Sequence, residues 1–120
     1  MGPRVLNLSD QDMRDLAAYY AYLLRTPAYH PASAGTTPPF VESGAPMRNI
    51  APCAACHGAV NYKTGSAWLE GESRAHLRAQ LDAFASGARH NDISGQMRNV
   101  AGGMSSLEIK QAADYYSNQS

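Results

Sequence analysis

Apolar residues recur at helical spacing in three places along the chain. Met13, Leu16, Ala17 and Tyr20 stand at i, i+3, i+4 and i+7 behind Ser9-Asp10-Gln11-Asp12, a spacing that gathers them on one face of a helix. The same four offsets return at Ile109, Ala112, Ala113 and Tyr116 behind Ser105-Ser106-Leu107-Glu108. In each case a serine is followed three residues later by an acid, the pattern in which each side chain satisfies the other's backbone N–H at a helix start. A middle helix is predicted from Ser73 as N-cap, with Leu77, Leu81 and Phe84 on its buried face and Gly87 ending it in a left-handed conformation. Gly44-Ala45-Pro46 and Pro52 interrupt the stretch before residue 53, so any helix there is short or irregular.

The two terminal patterns align without gaps, Leu8 to Tyr20 on Met104 to Tyr116. Ser9/Ser105, Ala17/Ala113, Tyr19/Tyr115 and Tyr20/Tyr116 are identical, and Asp12/Glu108, Met13/Ile109 and Arg14/Lys110 are similar. Two unrelated amphipathic helices with common residues are the simple alternative to an internal repeat. Read as a repeat, residues 1–25 are the end of an upstream copy and this chain is part of a larger tandem protein. Residues 26–40 then form a linker, rich in proline at Pro27, Pro31, Pro38 and Pro39 and tacked down by Tyr29 and Phe40. Residues 41–120 form the domain proper. At the same offset Met1 falls on Met97.

The chemistry centres on Cys53-Ala54-Ala55-Cys56-His57. C-x-x-C-H is the spacing at which two thiols join one haem covalently while the next residue ligates its iron. A thioredoxin-like C-x-x-C needs a βαβ setting, and no such alternation of strands is written here. Zinc would need a second close ligand pair, whereas His30, His76 and His90 stand far apart. One haem c, bound through Cys53 and Cys56 with His57 as proximal ligand, is therefore the expected cofactor.

The sixth position of that iron separates electron transfer from ligand chemistry. Met104 precedes the cap Ser105 and is placed to staple against Ile109, as Leu8 is against Met13. Met13 lies on a core stripe, and Met47 lies too close before Cys53 to cross to the far face. Met97, in a polar glycine-containing loop after the middle helix, is the candidate; His90 and an open site are the alternatives. His76 reads as a solvated helix position, His30 as a linker residue, and Tyr19, Tyr20 and Tyr22 as helix packing. Trp68 reads as core filler or as a partner for a haem propionate.

Charge narrows the partners. Ten basic and ten acidic side chains in 120 residues give a formal net charge of zero, which removes the broad electrostatic case for nucleic acid or an anionic membrane. No apolar run reaches the length of a membrane-spanning helix. The first residues, Met1-Gly2-Pro3-Arg4-Val5-Leu6-Asn7, lack the regions of a secretory signal.

The run Cys53-Ala54-Ala55-Cys56-His57-Gly58, then Leu81-Asp82-Ala83-Phe84-Ala85-Ser86-Gly87-Ala88-Arg89-His90-Asn91-Asp92, then Met97 and the Ser105 to Tyr116 helix resembles the class I c-type cytochromes. In detail it is similar to the second haem domain of the dihaem, c-four-like group, over about residues 41 to 120. The resemblance implies a small all-α fold wrapped round one covalent haem, here with an extra N-terminal helix and a Pro-rich linker. It implies Cys53 and Cys56 as thioether sites, His57 as proximal and Met97 as distal ligand. It also implies a periplasmic electron carrier rather than an enzyme, meeting other redox proteins transiently, with its export signal outside this chain. An electron-entry domain of a larger oxidase, reductase or dehydrogenase is the alternative, ahead of a five-coordinate sensor or peroxidase-like domain. The family's proline, whose carbonyl holds the proximal histidine, is replaced by Ala67 in Ala67-Trp68-Leu69-Glu70-Gly71-Glu72. Ala67 keeps a carbonyl but loses rigidity.

Overall fold

The structure, a computed structural model, describes residues 5–23, 36–57 and 65–119. Met1, the linker positions Pro27, Tyr29, His30 and Pro31, and Gly58 lie outside the described residues. Six α-helices are formed among the rest: α1 (Asp10–Tyr22), α2 (Pro39–Ser43), α3 (Ala54–His57), α4 (Arg74–Ser86), α5 (Gln96–Gly103) and α6 (Ser106–Ser117). Short 3₁₀ turns at Pro46–Arg48 and Ile93–Gly95 precede α3 and α5. Among the described residues there is no strand, and β pairing is limited to one antiparallel bridge between Ala45 and Ile50.

The predicted caps are present. In α1 the Asp12 N–H donates to Ser9 Oγ and the Ser9 N–H to Asp12 Oδ2, both at 3.0 Å. In α6 the Glu108 N–H donates to Ser105 Oγ at 3.2 Å and the Ser105 N–H to Glu108 Oε2 at 2.8 Å. Ser73 accepts from the His76 N–H, and Gly87 closes α4 at φ 80°. The tyrosine pairs also match in geometry. Tyr19 and Tyr20 are edge-to-face at 5.3 Å and 83°, Tyr115 and Tyr116 at 5.0 Å and 79°.

Burial separates α1 from α6. α4 packs against both α5 and α6, and α2 packs on α3. Their common core is Phe40, Val41, Leu77, Ala112, Ala113 and Tyr116, with Cys53, Ala54, Leu69, Leu81, Met104 and Tyr115 leaning on it. Ile109 and Tyr116 of α6 are each 4% exposed, whereas Met13 and Tyr20, their counterparts on α1, are 43% and 67% exposed. No residue of α1 is buried. The expected packing of Tyr19, Tyr20 and Tyr22 is therefore not formed among the described residues, because what buries the stripe on α6 is a neighbouring pair of helices rather than the stripe itself.

Two further details depart from the pattern read along the chain. Pro39 and Phe40, at the end of the Pro-rich run, already belong to α2, where proline suits the first helical turn and Phe40 enters the core. Met97 stands on the first turn of α5, not in a loop. Asn99, Gly102 and Gly103 give that segment poor helix propensity, so tertiary contacts form it. Asn99 Nδ2 donates to the Asn49 carbonyl at 3.0 Å, and Arg48 Nη1 donates to the Gly103 carbonyl at 3.2 Å. Arg48 also grips Glu108 with both terminal nitrogens, at 2.9 and 2.5 Å. This clamp fastens the turn before α3 to the α5–α6 junction.

Candidate functional site

Cys53, Cys56 and His57 share one tight turn. The Cys56 and His57 N–H groups both donate to the Cys53 carbonyl, at 3.2 and 2.9 Å, and the Ala55 N–H donates to the Pro52 carbonyl at 3.2 Å. A four-residue helix is not stable by itself. Here it is held by Cys53 and Ala54, which lean on the apolar core. That burial pushes the Cys53 thiol up to about 11, so the free side chain resists ionisation and is a poor thiolate nucleophile. A thioether carries no charge and suits the same dry place.

His57 Nδ1 lies 2.7 Å from the Ala67 carbonyl oxygen. A carbonyl can only accept, so Nδ1 bears the proton and the Nε2 lone pair is the one available to a metal. The segment presenting that carbonyl is itself pinned: the Glu72 N–H donates to the Leu69 carbonyl, and the Gly71 N–H to the Tyr116 carbonyl at the end of α6. The carbonyl role expected at Ala67 thus survives without proline, because the rigidity comes from α6. Trp68 is 44% exposed, so it does not fill the core.

Among the other predicted ligands, Met97 is half-buried and His90 is exposed. Met47 is 99% exposed on its 3₁₀ turn, and Met104 packs against the core from the end of α5. The residues that hold Met97's element went unassigned in the sequence. Asp92 Oδ2 accepts from the Arg98 N–H at 3.0 Å and Asp92 Oδ1 from Arg98 Nε at 2.8 Å. These bonds hold the Asp92 carboxyl below the usual carboxylate range, the bond from the Arg98 N–H above all. Arg89, just upstream, bonds Gln80 and Asn91 and lies 4.5 Å over the Phe84 ring. A residue such as Asp92, bonding across six positions, leaves no periodic signal; the run of Ser94 and Gly95 was the available hint of a cap.

Among the described residues no group of three or more His, Cys, Asp or Glu side chains is arranged to hold a metal ion, and both cysteines are free. The residues present do fit a haem: two thiols on one turn, one of them in apolar surroundings, and an imidazole oriented through Nδ1 with Nε2 available. Tyr116 Oη, buried in the core that Cys53 leans on, has no hydrogen-bond partner among the described residues, and burial raises its pKa.

The chain is 34% identical over 98% of its length to a thiosulfate dehydrogenase electron acceptor of Stutzerimonas stutzeri, of which it covers 57%. It is 32% identical over 96% of its length to cytochrome c4 of Thiocapsa roseopersicina, covering 62% of that protein. Over 65% of its length it is 30% identical to cytochrome c-554(548) of Halomonas halodenitrificans, and there it covers 96% of the relative. The crystal structure of reduced recombinant cytochrome c4 from Pseudomonas stutzeri superposes with a TM-score of 0.80 at 27% identity, over 98% of this chain and 64% of that one. No family model matches the chain. The chain spans under two thirds of the length of the first two relatives.

Proposed function

Because the chain belongs to the class I c-type cytochromes, in the group of cytochrome c4, we propose that it is a one-electron carrier with one covalently bound haem c. The haem supplies reversible one-electron chemistry at its iron. Cys53 and Cys56 form the thioether links and keep the cofactor attached in either oxidation state. His57 is the proximal ligand, and the observation that carries this assignment is its 2.7 Å bond to the Ala67 carbonyl. That bond fixes the ring plane and tautomer before the metal is considered and leaves Nε2 as the ligating nitrogen. Met97 is the distal ligand. Its thioether favours the reduced metal and raises the potential.

Residues 1–25 are the closing part of an upstream haem domain, residues 26–38 a linker, and the carrier domain begins at Pro39 with α2. The matching caps and tyrosine pairs of α1 and α6 support this division, as does the greater length of the relatives. The carrier works in the periplasm, where haem is attached to such motifs, and meets its redox partners transiently. Among the described residues no helix is long and apolar enough to cross a membrane. A net charge of zero leaves partner choice to local contacts more than to long-range steering.

A second reading is favoured by one relative, whose name is thiosulfate dehydrogenase electron acceptor. On that reading this chain takes electrons from a dehydrogenase. The test is the ferric holoprotein's far-red sulfur-to-iron band, which Met97→Ala should abolish while covalent haem stays attached. Ready carbon monoxide binding by the ferrous wild type at neutral pH would refute the electron-carrier reading.

A further inference from the structure

Ser94 (φ 55°, ψ 22°) and Gly95 (φ 66°, ψ 20°) are consecutive left-handed residues directly before α5. Serine is strained there, and Gly95, at the N-cap position of α5, has no side chain with which to cap it. The cap comes instead from Asp92, whose carboxylate receives both the Arg98 N–H and the Arg98 Nε. Asp92's side chain is 3% exposed and Arg98's 44%, so water competes little for the carboxylate. Arg98 is the third residue of α5 and Met97 the second. The bond closes a ring from residue 92 to 98 in which Met97 is the last link.

We propose that Asp92 is a positioning residue for Met97: by chelating Arg98 it holds the first turn of α5 closed and keeps the thioether of Met97 presented. This rests on Met97 being the distal ligand. With the clasp broken, the two left-handed residues relax, the first turn of α5 frays, and an added ligand competes more successfully for the iron. The affinity of a competing ligand scales with the fraction of molecules whose own ligand has been released.

Imidazole is titrated into the ferric holoprotein, with loss of the far-red band as readout. Asp92→Ala should bind imidazole at least about tenfold more tightly than wild type, the factor for losing a charge-assisted hydrogen bond. Arg98→Gln keeps the bond from the Arg98 N–H and should show a smaller increase, about threefold. Ser73→Ala, which removes the cap of α4 and destabilises the fold elsewhere, should leave imidazole affinity at the wild-type value. If Asp92→Ala does not accumulate as holoprotein, Arg98→Gln decides. Wild-type affinity in the Asp92 and Arg98 variants, or an equal rise in Ser73→Ala, overturns the clasp alone. If the far-red band survives Met97→Ala, the ligand assignment falls and the clasp with it.

Discussion

Glu108 joins the cap of α6 to the Arg48 clamp, and Glu108→Gln isolates what its charge does. The side chain caps α6 through the Ser105 N–H and receives both terminal nitrogens of Arg48, which also donates to the Gly103 carbonyl. Glutamine keeps the length and an oxygen for Ser105, so the loss falls on the ion pair. The Arg48 bonds, with the Ser105 N–H second, hold the Glu108 carboxyl at about 2, from its usual 4.5. A shift of that size would correspond to about 3 kcal/mol if nothing screened it. Arg48's side chain is 46% exposed and Glu108's 19%, so solvent screening reduces the expected contribution to about 1–1.5 kcal/mol.

The sign follows from the lowered value. Glu108 contributes fully above pH 4.5, and its contribution is lost as pH falls through about 2. Urea unfolding of the holoprotein at neutral pH should therefore show a midpoint about 0.5 M lower for Glu108→Gln, for a slope of about 2 kcal/mol/M. At pH of about 3 less than half of that difference should remain. A difference that is equal at both pH values, or one that molar salt does not shrink, would refute the ion-pair account and leave glutamine's shape as the cause.

Three other substitutions test the frame. Gly44 adopts φ 67°, ψ −163°, and a Cβ there would fall on the Ile50 carbonyl oxygen and 2.9 Å from Pro52 N. Gly44→Ala should cost about 3 kcal/mol or more through strain and backbone displacement, measured as a lower urea midpoint and a reduced yield of haem-loaded protein. Leu77, 6% exposed in the core, should cost about 2–5 kcal/mol on truncation to alanine, seen by thermal unfolding. Tyr116→Phe removes a buried hydroxyl that has no hydrogen-bond partner among the described residues and should leave stability unchanged or raise it by up to about 1 kcal/mol; a clear loss would show that the hydroxyl has a partner in the loaded protein.

Local chemistry was legible along the chain wherever cause and effect lie within a few residues. The capping boxes at Ser9 and Ser105, the Gly87 stop and the C-x-x-C-H turn each follow from side chains that reach only three or four positions. The carbonyl at Ala67 was anticipated, but the reason it stays in place, the pinning of Gly71 to the end of α6, was not. The sequence places Met97 in a loop, whereas it stands on α5, and the bonds that form α5 come from Asn49 and Arg48, some fifty residues earlier.

The two similar helices α1 and α6 show the same boundary from the other side. Met13, Leu16, Ala17 and Tyr20 carry the helical pattern of Ile109, Ala112, Ala113 and Tyr116, and the sequence by itself determined that both would be capped helices with one apolar face. Only the tertiary structure decided that one face is covered and the other open. Periodicity states which side of a helix is apolar; burial depends on whether another element stands opposite. For the turn that carries Met97 likewise, the sequence places the residues in order, and the fold brings the Asp92 carboxylate onto Arg98. Hydrogen bonds across a turn depend on backbone angles that no residue writes alone.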